Sequence, residues 1–169
     1  MKIITDKNQA LIEMRQDGLV LRYASKELQR DKEVVLTAVM QNGMALQYAN
    51  NKLRADKEVV LAAVVEDGTA LQFASKKLQA NREIVLIAVK ENSEALQYAS
   101  KELQNDKEVV LEAVKKTGWA LEYASKELRA DQEVVLEAVK QTSLALDYAS
   151  EELQNEIRQK IQQFIDNLK

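Results

Sequence analysis

The chain has 169 residues, 46% apolar and 30% charged, a balance that fits one folded domain and excludes a disordered one. Histidine and cysteine are both absent, which removes the usual general base, the thiol nucleophile, the disulfide and the soft metal site. The net charge of −3, with acids and bases interspersed, exerts no general pull on nucleic acid or anionic lipid.

The N-terminus, Met1-Lys2-Ile3-Ile4-Thr5-Asp6-Lys7, lacks the apolar run of a signal peptide. No stretch approaches the ~18 uninterrupted apolar residues of a membrane span. A cytoplasmic protein is therefore expected. Proline is absent and glycine occurs four times, so regular structure should fill most of the chain.

An internal repeat then dominates the pattern. An aromatic-Ala pair stands at Tyr23-Ala24, Tyr48-Ala49, Phe73-Ala74, Tyr98-Ala99, Tyr123-Ala124 and Tyr148-Ala149, always 25 residues apart. The six units begin at Asp6, Asp31, Asp56, Asn81, Asp106 and Asp131. Residues 1–155 are assigned to this array and 156–169 to a final helix of the same domain.

In each unit the first half predicts a short helix, such as Lys32–Gln41. Asp31 suits its N-cap, and Glu33 adds favourable charge to the first turn. Gly43 suits a left-handed stop, and Ser93 and Ser143, which replace it, imply strained or differently shaped turns. At 100° per residue, Val34, Val35, Leu36, Ala38 and Val39 sweep an arc of about 200°. A helix buried that widely touches its own partner and both neighbouring units. In the second half, from Met44 to about Arg54, Ala45, Leu46, Ala49 and Leu53 share one narrow face of a second helix. Serine or asparagine after the aromatic-Ala pair can stop that helix, leaving a 3-10 turn around Leu53.

The ends differ from the middle. Unit one has Asn8-Gln9-Ala10 where inner units have Glu-Val-Val. After unit six, Ile157, Ile161, Phe164, Ile165 and Leu168 form one apolar stripe, expected to cover the last unit's open face. A coiled-coil dimer helix is the rival use of that stripe. The predicted fold is all-α: a right-handed or otherwise curved α-solenoid of six repeats. Each repeat is two short helices, or an α-helix plus a 3-10 turn, and a capping helix closes the C-terminus.

The unit Asp106 to Ala130, with its Gly-x-Ala-Leu-x-Tyr-Ala-Ser core, resembles the helical repeat family known as domain of unknown function 4116. The resemblance runs from about Asp6 to Asn155, with departures in unit one and at Ser93 and Ser143. It implies an interaction module, often one part of a larger chain, of a kind found in protist proteins and in bacterial effector-like proteins delivered to host cells. It brings no catalytic or binding residues.

Nothing in the residues singles out catalysis. The recurrent carboxylates are explained as caps and dipole partners, and the serines have no histidine to activate them. The tyrosine column could stack bases, but the net charge and the lack of a basic stripe beside it favour packing between units. Three columns that vary between units are more informative: Ile12, Thr37, Ala62, Ile87, Glu112, Glu137; Arg15, Met40, Val65, Lys90, Lys115, Lys140; and Leu19, Met44, Thr69, Glu94, Trp119, Leu144. They lie at i, i+3 and i+7, on one face of the first helix and its exit. Met40, Met44, Val65, Thr69, Ile87, Trp119 and Leu144 are the candidate partner-binding residues. The expected function is a non-enzymatic scaffold for a protein or peptide, without cofactor, nucleic acid or membrane. It is expected to be a monomer, with a homo-oligomer as the other possibility. The alternative is an architectural or self-assembling array, and a single-stranded nucleic-acid binder ranks third.

Overall fold

A computed structural model of the chain describes residues 3–167. Every unit opens with a ten-residue α-helix: Lys7–Gln16, Lys32–Gln41, Lys57–Glu66, Arg82–Glu91, Lys107–Lys116 and Gln132–Gln141. The N-cap is the expected residue, Asn81 in the fourth unit and aspartate in the other five. Asp31 Oδ1 accepts from the backbone N–H of Glu33 and Val34 at 3.0 and 3.2 Å, and Asp56 and Asp106 do the same. Each helix stops because the next residue is extended, with φ between −146° and −156° from Asp17 to Thr142. Asp17, Asn42, Asp67 and Asn92 then cap the following segment, accepting from the N–H two residues on.

That segment is a 3-10 helix and not an α-helix: Gly18–Tyr23, Gly43–Tyr48, Gly68–Phe73, Ser93–Tyr98, Gly118–Tyr123 and Ser143–Tyr148. Gly43, Leu46 and Ala49 are buried at steps of three, the period of a 3-10 turn. An extended alanine follows, with ψ of 150° or above in each unit's chain reversal, as at Ala49 (φ −67°, ψ 150°). The unit closes with a second 3-10 turn, such as Leu53–Ala55, or with one α turn at Lys76–Gln79 and Lys101–Gln104.

The glycine column corrects the expected left-handed stop. Among the described residues no glycine has a positive φ. In the four glycine units the position is instead one of close approach. A Cβ on Gly18, Gly43, Gly68 or Gly118 would lie 2.2–2.4 Å from the carbonyl oxygen of Ala38, Ala63, Ala88 or Ala138 in the next unit. Ser93 and Ser143 share the backbone shape of the glycine units, so no special turn forms there. Ser143 is exposed, with no further unit against it, whereas Ser93 is buried at an internal junction.

Val34, Val35, Ala38 and Val39 are fully buried, as are their equivalents in units three to five. In unit one, Gln9 and Glu13 stand where Val34 and Ala38 stand in unit two, and they lie toward solvent. Those two positions therefore face the preceding unit. Neighbours are joined in two further ways. Each serine or asparagine N–H after the aromatic-Ala pair donates to a carbonyl of the unit before: Asn50 to Gln29, Ser75 to Arg54, Ser100 to Gln79, Ser125 to Gln104 and Ser150 to Arg129, at 2.8–3.0 Å. Ile4 serves unit one in the same way, accepting from Ser25 at 2.8 Å. Along the helix starts runs an ion-pair ladder. Lys7 pairs with Asp31 and Glu33, Lys32 with Asp56 and Glu58, Lys57 with Glu83, Arg82 with Asp106 and Glu108, and Lys107 with Asp131 and Glu133.

The C-terminal helix starts earlier than expected, at Glu151, and runs to Asp166. It covers the array only through Leu153 and Ile157; Ile161, Phe164 and Ile165 are 53%, 66% and 42% exposed. The helix continues directly out of the sixth unit's closing turn, so its apolar stripe runs past the last unit instead of folding across it. Leu168 lies outside the described residues.

Candidate interaction surfaces

The seven candidate residues are held by the first helix and the turn after it, but they do not form one patch. Met40 and Val65 protrude from consecutive helices, 66% and 57% exposed. Below them Met44 and Thr69 touch: the Thr69 hydroxyl lies 3.7 Å from the Met44 sulfur and donates to Asp67 at 2.6 Å. Ile87 is half-buried and packs on the core, so it contributes an edge and no free side chain. The exposed Lys90 and Glu94 then interrupt the apolar columns. Beyond them a second group forms, with Trp119 edge-on to Tyr148 at 5.7 Å and 75°, and Leu144 54% exposed. Trp119, Tyr123, Glu91 and Glu94 line a cleft of about 380 Å³ at the junction of units four and five. The Lys116 ammonium closes one side, donating to the carbonyls of Lys90 and Glu91.

The tyrosine column packs against the core and is half-buried throughout. Burial, then the nearby Glu122 and Glu94 carboxylates, push the Tyr123 hydroxyl above its usual range, so it stays protonated at neutral pH. Beside this column the units form clefts, of about 350 Å³ between units one and two and about 790 Å³ between units four and five.

The face bearing those clefts is not electrically uniform, and here the sequence expectation of no basic stripe is corrected. Arg22, Lys26, Arg30, Lys52, Arg54, Lys76 and Lys77 gather on units one to three, against the single acid Glu27. Lys26 and Lys76 donate to Gln29 and Gln79 at 3.0 Å, Arg54 to the Phe73 carbonyl, and Arg22 lies 4.5 Å from the Tyr23 ring centroid. Among the described residues none of the seven forms an ion pair, whereas each ladder cation holds at least one carboxylate. A net charge taken over the whole chain hides the segregation; counting charge per unit behind the tyrosine would have revealed it.

Among the described residues no group of His, Cys, Asp or Glu is placed to hold a metal ion, and no helix is long and apolar enough to cross a membrane. No curated protein and no solved structure matches the chain. A family model, by contrast, matches in tandem at residues 11–54, 56–104 and 106–154. Each match spans a pair of the 25-residue units, and the second and third begin at the caps Asp56 and Asp106. The chain belongs to the family described as domain of unknown function DUF4116.

Proposed function

We propose that this chain is a non-enzymatic helical-repeat scaffold that holds a protein or peptide partner against its variable columns. One observation carries the reading. The fixed columns are consumed by packing between units, while Met40, Val65, Trp119 and Leu144, from two of the variable columns, stay 66%, 57%, 43% and 54% exposed. Tryptophan serves as a rigid anchor at such surfaces and methionine as an adaptable contact. The missing histidine and cysteine support the non-enzymatic part.

The reading is tested with peptides selected from a random library on the wild-type chain. Two variants, Met40→Gln/Met44→Gln/Val65→Gln and Trp119→Gln/Leu144→Gln, should keep the wild-type urea melt. At least one should bind the selected peptides about tenfold more weakly or worse, equivalent to 1.4 kcal/mol. Peptides held equally by all three chains, or a library yielding none, would remove the variable columns from the account and leave an architectural array.

A further inference from the structure

The tyrosine-bearing face carries a charge pattern that partner binding through the outer columns does not use. Its first three units hold the seven unpaired cations described above. In the last three, Glu102, Glu122, Glu127, Asp147, Glu151 and Glu152 outnumber Lys101, Lys126 and Arg129. Nearly all of these side chains are exposed; only Arg54 and Arg129 are half-buried.

We propose that this face is self-complementary and joins two copies of the chain as an antiparallel pair, the basic half of each lying on the acidic half of the other. A two-fold axis between units three and four sets Arg22, Lys26 and Arg30 of one copy against Glu151 and Glu152 of the second, Asp147 being already paired with Arg158 of its own chain at 3.1 Å. Repeat geometry makes the match recur. Both halves are built from units of 25 residues without insertion, so opposite charges return at one spacing on both surfaces. The basic and acidic halves are also equal in length, at three units each. At the helix starts, by contrast, each cation is neutralised internally by the ladder.

A single-stranded nucleic acid fits the same face less well. Such ligands need aromatic rings free to stack on bases, but Tyr23, Tyr48 and Phe73 are packed against the core, and Arg22 already lies over Tyr23. The acidic half would also repel a long polyanion. Lysine and glutamate are poor at the centre of a stable interface, so the pair should be weak and strongly salt-dependent.

The test is sedimentation equilibrium of the full chain at two salt concentrations, about 0.01 M and 1 M, where the screening length falls from about 30 to 3 Å. A dimer at low salt whose dissociation constant rises at least tenfold at high salt is expected. The variants Arg22→Glu/Lys26→Glu/Arg30→Glu and Glu151→Lys/Glu152→Lys, with the wild-type circular dichroism, should each be monomeric at low salt. Mixed in equal amounts, they should form a one-to-one heterodimer, since each then supplies the charge the other has lost. A wild-type monomer at low salt overturns the proposal, as do dimers in both variants or a mixture that stays monomeric. Retention of a fluorescent single-stranded oligonucleotide by a monomeric wild-type chain also overturns it, and makes the basic half a polyanion site.

Discussion

Replacing Gly68 by alanine puts the contact between units three and four to a direct test. The added methyl would sit 2.2 Å from the Ala88 carbonyl oxygen and 2.9 Å from the Asn92 nitrogen, both backbone atoms. Restoring ordinary contact means parting the units by roughly 1 Å, since favourable heavy-atom separations start near 3.5 Å. Overpacking of this kind costs about 1–3 kcal/mol. Reduced freedom of the unfolded chain returns about 0.4–1 kcal/mol. The net loss, about 1–2 kcal/mol, should lower the melting temperature by about 2–8 °C in a domain of this size. Amide exchange at Asn92, whose N–H donates to Ala88 at 2.8 Å, should quicken as well. Gly68→Asn separates the two explanations of the column. At a left-handed stop asparagine is the preferred substitute; at a close approach it brings the same methylene and more atoms, and should be no better than alanine. Ser143→Ala, with no unit beyond it, should change stability by less than about 0.5 kcal/mol. A Gly68→Ala chain as stable as wild type, or asparagine outperforming alanine, would refute the close-approach argument.

Leu96 is fully buried and Glu94 exposed. In urea melts Leu96→Ala should lose about 2–5 kcal/mol and Glu94→Ala no more than about 0.5, and comparable losses would reject the assigned faces. Hydrogen bonds from Lys32, Arg82 and Lys107 hold the cap carboxyls of Asp56, Asp106 and Asp131 below their ordinary range. Their contribution is complete above the unfolded-state value of about 3.9 and is lost as pH falls through the lower folded values. The urea midpoint should therefore hold from neutrality to about pH 5 and drop below about pH 4. A Lys32→Met/Arg82→Met/Lys107→Met chain should show a shallower acid limb; an unchanged limb would mean that the ladder does not set these carboxyls.

Most of the frame was legible because it is written at short range. The aspartate caps and the valine-alanine arc each depend on residues within one or two helical turns, and the period shows directly as a recurrence every 25 residues. The 3-10 segment was harder to see. Ala45, Leu46, Ala49 and Leu53 also fit one α-helical face, and the deciding signal was burial of Gly43, Leu46 and Ala49 at steps of three. The glycine column was misjudged because the atom it meets lies twenty residues further along, as Ala38 does from Gly18. The ladder partners are as distant, although a trace was available: the lysine or arginine that opens units one to five gives way to Gln132 in unit six. Of the candidate surface, exposure of Met40, Val65, Trp119 and Leu144 followed from helical phase. The burial of Ile87 did not, and neither did the break at Lys90 and Glu94, because both depend on how neighbouring units sit side by side.

The bond from each serine or asparagine N–H to the unit before it has a consequence for how this chain can change in length. At four of the five junctions a glycine contact, an ion-pair ladder and a backbone bond bridge the same two units, each at its own fixed offset along the chain. One residue inserted between Gln29 and Asn50 would shift at least one of the three out of step with the others. Removal of a whole 25-residue block brings every donor back to an equivalent acceptor. Viable deletions and duplications inside the array are therefore quantised. The genetic mark of that rule is in-frame gain or loss of 75 nucleotides, with single-codon insertions and deletions rejected from the interior.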